Sequence, residues 1–165
     1  MQYKEVSGGI CAPKGFAAAG VHCGIRANHT EKYDLALIKA EVRCAAAGVY
    51  TTNKVCGAPI KVDRAHLTDG YAQAILVNSG NANTCAPNGI ELAKETCEIV
   101  AKELGLSADD VLPASTGVIG QAMMSARSSL EWLCRMPQCT PAAENPAGAQ
   151  MPPGIDLKFS MIHPS

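Results

Sequence analysis

Two apolar runs that dissolve into small polar residues and glycine constrain this chain more than anything else in it: Ala74–Asn83 (AILVNSGNAN) and Pro113–Gly120 (PASTGVIG). Ile75, Leu76 and Val77 are aliphatic and mostly β-branched, so they favour a buried strand. Asn78, Ser79, Gly80, Asn81 and Asn83 then offer amides and a hydroxyl that bond local backbone, with a glycine free to take positive φ. Between the runs lies Gly89–Leu104, where Ile90, Ala93, Cys97, Val100 and Leu104 recur at three- and four-residue steps. That recurrence is the stripe of an amphipathic helix. Glu91, Lys94, Glu95, Glu98, Lys102 and Glu103 occupy its solvated side. Asn88 and Glu91 have capping-box spacing at its start, and Gly105 is placed to end it. Such a helix should lie on a sheet, and it has no catalytic role in this reading. Two polar strand ends are a common way to build a small-molecule site on a rigid scaffold; the plainer alternative is two ordinary turns.

The rest of residues 1–87 reads as β-rich. Gly15–Ile25 is an early strand broken by bends, and Leu35–Ile38 and Ala45–Tyr50 form the next pair. Val55–Leu67 is ambiguous, with Pro59 suited to a helix first turn. Ser107 and Asp110 repeat the cap spacing, which suggests one short turn before Val111. Beyond Gln121 the composition changes. Pro137, Pro141, Pro146, Pro152, Pro153 and Pro164 fall there, as do Met123, Met124, Met136, Met151 and Met161. The sequence predicts two helical turns over 128–135 at most, and a linker-like or disordered tail over 122–165. A frame-shifted or artificially joined end would have the same composition. The domain division is therefore 1–121 and 122–165.

Composition narrows the partners. A chain of 165 residues, 47% hydrophobic and 18% charged, suits one soluble globular domain. Its net charge of −1 gives no basic footprint for nucleic acid and no polybasic arm for a membrane. No apolar run approaches the roughly twenty residues that span a bilayer. Lys14 interrupts the one stretch resembling a secretory signal, so the cytoplasm is expected. Cys11, Cys23, Cys44, Cys56, Cys85, Cys97, Cys134 and Cys139 contain no paired metal-ligand spacing. They read as free, mostly buried thiols, with no metal and no cofactor expected. His22, His29, His66 and His163 have no clear carboxylate or nucleophile neighbour in sequence, and read as core, surface or cap residues.

Seven ordered blocks carry a wider likeness: Gly8–Phe16 (GGICAPKGF), Ala19–Ile25 (AGVHCGI), Asp34–Ile38 (DLALI), Ala47–Lys54 (AGVYTTNK), Ala58–Ile60 (API), Asn78–Asn83 (NSGNAN) and Ser115–Gln121 (STGVIGQ). In these the chain resembles, over about residues 4–121, the ornithine acetyltransferase family, the bifunctional glutamate N-acetyltransferases of arginine biosynthesis. The resemblance implies a layered α/β sandwich, incomplete in this chain. It also implies transfer of acetyl from N-acetylornithine to an enzyme threonine and on to glutamate. That chemistry needs a nucleophile, a base and donors to the oxyanion of each tetrahedral intermediate. Thr116 and Gly117 match the family's oxyanion pair, through the Thr116 hydroxyl and the Gly117 backbone N–H. Asn78, Asn81 and Asn83, with Ser79, are expected to scaffold the neighbouring loops. Asn53 and Lys54 belong to a matching block without a derivable role.

In the family the nucleophile is a threonine freed as a new N-terminus when the precursor cuts itself between alanine and threonine. Thr30, Thr51, Thr52, Thr68, Thr84, Thr96, Thr116 and Thr140 are all the threonines here, and none follows an alanine. The expectation is an α-type portion that needs a β-type chain carrying the threonine, in a hetero-oligomer, and is inactive alone. The alternatives are a truncated, non-catalytic fragment and a related self-cleaving aminopeptidase or amidase.

Overall fold

The computed structural model describes residues 9–26 and 33–123, together with the backbone of Ser160–Ile162. One mixed sheet organises them. Strands β1 (Phe16–Val21), β2 (Leu35–Ala47), β3 (Tyr71–Asn81) and β4 (Val111–Val118) lie side by side in chain order. A short β5 (Ser160–Ile162) pairs with Ala45–Ala47, the far end of β2. The β1–β2 and β2–β3 pairs are antiparallel, whereas β3 and β4 are parallel. A parallel pair cannot be closed by a tight turn, and the helix α2 (Gly89–Leu104) supplies the crossover. A shorter helix, α1 (Ala58–His66), precedes β3, with Pro in its first turn as the sequence suggested for Pro59.

Both helices cover one face of the sheet. Val62 of α1 and Ala93, Cys97, Val100 and Ala101 of α2 pack with Leu35, Leu37, Leu76 and Val111. The alternate side chains of the same strands, Ala36, Ile38, Ile75, Val77, Leu112 and Ala114, form a second buried cluster. A strand buried on both faces loses the polar–apolar alternation, which is why the runs over 74–77 and 35–38 read as continuously apolar. The mixed α/β class is the one the sequence implied, with one sheet and one helical layer of the sandwich among the described residues.

The stripe expected of α2 is the one that is buried, and Gly105 ends the helix in the left-handed region at φ 68°. Its N–H and that of Leu106 reach back to Lys102 and Ala101 carbonyls, closing the last turn. The start differs from expectation. Asn88 sits in the left-handed region itself, at φ 54° and ψ 27°, and makes no side-chain cap bond. Its backbone carbonyl accepts only the ordinary first helical bond, from Leu92. Likewise the turn Ala108–Asp110 forms, but without a Ser107 side-chain cap. The expected pair Leu35–Ile38 and Ala45–Tyr50 is a single strand. β2 runs through Lys39–Arg43 with a register shift against β3, and Gly48–Tyr50 lie beyond its end. Charged residues there face outward across the irregularity, so the stretch mimics a turn in sequence. The reading of 122–165 falls outside the described residues, apart from Ala122, Met123 and β5.

Candidate functional site

Because β3 and β4 are parallel, their polar ends emerge at the same edge of the sheet. The register pairs Asn78 with Ser115, Ser79 with Thr116, Gly80 with Gly117 and Asn81 with Val118. Registered neighbours share a face, so Asn78 and Ser115 lie on the helix-covered side and Ser79 and Thr116 on the other. The two sequence motifs are thus one structural unit. Gly117 is indispensable to it. At φ 135° it holds a conformation closed to other residues, and a Cβ there would stand 2.3 Å from the carbonyl carbon of Gly80. Gly80 is crowded too, since a Cβ on it would meet Ile25 Cγ2 at 2.4 Å.

The asparagines stitch this unit together. Asn78 donates through Nδ2 to Ser115 Oγ at 2.6 Å, and its Oδ1 accepts from the N–H groups of Gly80 and Asn81. Asn81 Oδ1 accepts from the Asn83 N–H at 2.8 Å, while its Nδ2 donates to the carbonyls of Gln121 and Ala122. Asn83 donates to the Gly89 carbonyl at 2.8 Å, tying the loop to the first residue of α2. All three side chains are buried. Thr116 is half-buried and Gly117 exposed at the lip. No side-chain hydrogen bond occupies Thr116 among the described residues.

A buried carboxylate that sequence reasoning missed braces the unit from behind. Asp34, fully buried at the start of β2, accepts from the Cys23 N–H at 2.7 Å and the Arg26 N–H at 3.1 Å. His22 Nδ1 lies 3.4 Å from Oδ2, the oxygen that also accepts from Arg26. Burial works to raise this carboxyl, but the Cys23 and Arg26 N–H groups, the Cys23 thiol and His22 hold it below the usual carboxylate range. Burial, and then Asp34, push the Cys23 thiol up to about 12, so it stays protonated. Arg26 donates through Nε to the Ser79 carbonyl, and the Asp34 carbonyl accepts from the Ser79 N–H at 2.8 Å. Both sides of Ser79 are therefore clamped by the 22–34 region. The one available signal was an aspartate directly before the apolar run Leu35–Ile38, where a buried charge demands partners.

Two polar atoms of the unit have no partner: Ser79 Oγ and Asn83 Oδ1, both buried. An unsatisfied buried hydroxyl or amide costs about 1–3 kcal/mol. Beneath the loops a cavity of about 40 Å3 separates the sheet from α2, lined in part by Leu76, Asn78, Asn83, Ala93, Pro113 and Ser115. It is too small for an amino-acid substrate, and Thr116 faces away from it. The solvent-facing side of the unit is the lip from Thr116 to Gly120.

The remaining expectations scatter elsewhere. Asn53 and Lys54 lie in the exposed loop before α1. His66 Nδ1 stands 2.9 Å from the Val111 carbonyl, which only accepts, so this nitrogen carries the hydrogen. Its Nε2 lies 3.7 Å from Asp109. His29, His163, Cys134 and Cys139 lie outside the described residues. Cys23, Cys44 and Cys97 are buried as small hydrophobes, but Cys11 and Cys56 are intermediate and Cys85 is exposed. No described helix is long and apolar enough to cross a membrane.

The chain has relatives among known proteins. The model of the ArgJ family matches residues 17–144, which extends past Gln121 where the sequence blocks end. The arginine biosynthesis bifunctional protein ArgJ of Gloeobacter violaceus is 52% identical over 120 residues, covering 72% of this chain and 29% of that protein. The chain spans about a third or less of the curated relatives it matches. Among solved structures, ornithine acetyltransferase from Mycobacterium tuberculosis, complexed with ornithine, is similar with a TM-score of 0.72 and 36% identity. That likeness covers 86% of this chain and 77% of the solved one. The ArgJ protein of Bacillus halodurans is similar with a TM-score of 0.69 and 35% identity, over 74% of this chain and 63% of its own.

Proposed function

The chain belongs to the ArgJ family, and from that premise we propose that it supplies the oxyanion-binding part of an acetyl-transferring enzyme. In this reading acetyl passes from N-acetylornithine to a threonine carried by a complementing β-type chain, and from that threonine to glutamate. The observation that carries it is the parallel register of β3 and β4, which sets Thr116 and Gly117 at an exposed lip backed by an asparagine loop tied at several points to its neighbours. Each acyl transfer passes through a tetrahedral intermediate whose oxygen becomes an anion. Thr116 Oγ1–H and the Gly117 N–H stabilise that charge as it develops, without a net charge of their own. Glycine lets the acyl oxygen approach the backbone closely. Pre-organisation is the scaffold's contribution, because donors already fixed by neighbouring strands need no rearrangement at the moment of reaction.

Asn78, Asn81 and Asn83 hold the loop and take no part in the chemistry. No threonine within these 165 residues follows an alanine, so in this reading the acetyl-accepting hydroxyl and its α-amine base come from outside them. The cytoplasm, or a plastid, is where such an enzyme would meet its amino-acid substrates. The test has two arms. Intact-mass spectrometry of the isolated chain with N-acetylornithine should show neither fragments nor one added acetyl group. Mixing with the threonine-bearing chain of a relative should restore acetyl exchange between N-acetylornithine and glutamate. Acetylation of the isolated chain on one of its own threonines would overturn the division of labour.

A further inference from the structure

Ser79 is the one residue of the loop whose side chain the asparagine network leaves out. It is wholly buried, its backbone is clamped on both sides by Asp34 and Arg26, and its Oγ has no partner. It also stands directly opposite Thr116 across the parallel pair, on the same face. Neighbouring strands lie about 4.8 Å apart, so a turn about χ1 brings the two hydroxyls into hydrogen-bond reach. Thr116 likewise has no side-chain partner among the described residues. Two unpartnered hydroxyls on adjacent registered positions, one of them sealed from water, satisfy each other more readily than anything else nearby.

We propose that Ser79 is a positioning residue for Thr116: its Oγ–H donates to Thr116 Oγ1 and leaves the Thr116 proton directed outward to the acyl oxygen. A hydroxyl donates one hydrogen and accepts through two lone pairs. Once Thr116 Oγ1 accepts from Ser79, its own proton is turned away from the sheet, toward the exposed lip. The chain of donors also polarises along its length, so each bond strengthens the next. The rigid clamp on the Ser79 backbone fits this role, since a donor that must aim another donor cannot itself wander. The catalytic consequence rests on the oxyanion reading of Thr116, while the hydroxyl pair does not.

A double-mutant cycle tests both. In urea unfolding of the full chain, Ser79→Ala and Thr116→Val should each weaken folding and fail to add, with a coupling of roughly threefold to tenfold in the unfolding constant. Ser79→Cys, close in shape and a poor donor, should show the same coupling if the alanine variant folds badly. Additive losses, or a Ser79→Ala variant that is stabilised because an orphaned hydroxyl has gone, would overturn the contact. In the enzyme completed by a threonine-bearing chain, Ser79→Ala should lower kcat about tenfold with KM unchanged. In the Thr116→Val background it should do nothing more. An equal loss of kcat in both backgrounds would mean that Ser79 acts through loop packing, and would overturn the positioning role. Coupled unfolding together with normal turnover of Thr116→Val would instead remove the oxyanion reading and leave the hydroxyl pair standing.

Discussion

The two ends of the β3–β4 pair are built from opposite materials. At the end where the strands begin, the polar groups are charged and paired, with Asp109, Asp69 and Arg43 open to solvent and Asp110 buried. Arg43 reaches Asp69 and, at 2.6 Å, Asp110, with its guanidinium 5.0 Å from the centre of the Tyr71 ring. His66 and Asp109 complete that cluster. At the end where the strands finish, the polar side chains of the two strands themselves are neutral, mostly buried and only partly satisfied, with the charged Asp34 and Arg26 bracing them from the neighbouring chain segment. Charge in water holds a fold together cheaply, because its partners and the solvent share the cost. Neutral donors sealed against water are a different investment. They rigidify the loop when satisfied and cost stability when they are not.

The largest expected effect lies at the neutral end. Gly117→Ala forces a Cβ into a glycine-only conformation and into the Gly80 carbonyl. Strain and overpacking together should cost about 3–5 kcal/mol, read from urea unfolding. Gly105→Ala, also left-handed but facing open space, should cost only about 1 kcal/mol. Equal losses at the two glycines would mean that the close approach of the strands contributes nothing.

Asp63 sharpens the comparison, since it is charged in kind yet buried in α1 with an unpartnered Oδ1. Burial raises its carboxyl from 3.8 to about 7. The unfolded chain releases this proton first, so stability should be full below about pH 3.8 and should fall as pH rises toward and through 7. Asp63→Asn should flatten that slope and, at about pH 8, stabilise the chain by about 2–3 kcal/mol. Thermal unfolding across the pH range checks the sign. A slope unchanged in Asp63→Asn would locate the proton elsewhere.

The smallest effect belongs to the charged end. Arg43→Ala should lower the urea midpoint modestly, with a small part of the loss removed by high salt: the pair with Asp69 is exposed and screened, whereas buried Asp110 loses its partner. Turnover of the completed enzyme should not change.

How far the sequence carried depends on the range of the forces involved. α2 was legible to its ends because its stripe, Ala93, Cys97 and Val100, is a local pattern that burial enforces. The Asn88 cap was not, since Asn88 takes the left-handed conformation and its side chain makes no cap bond, while its carbonyl accepts only the ordinary first helical bond from Leu92. β2 looked like two strands because Lys39, Glu41 and Arg43 interrupt the apolar run, and only the pairing with β3 shows one strand crossing an irregular register. In the candidate site, the two motifs were visible one by one. Their register, and the Asp34–Arg26 brace on Ser79, join residues far apart in the chain and have no local signature.

One substitution bears most directly on whether the neutral end is catalytic. Thr116→Val keeps the shape of the side chain and removes only its donor. Measured in the enzyme completed by a threonine-bearing chain, kcat should fall roughly a hundred- to thousand-fold while KM for N-acetylornithine and glutamate stays nearly constant. Wild-type turnover in Thr116→Val, with assembly of the two chains verified, would contradict the oxyanion role and reduce the lip to a tight strand-end turn.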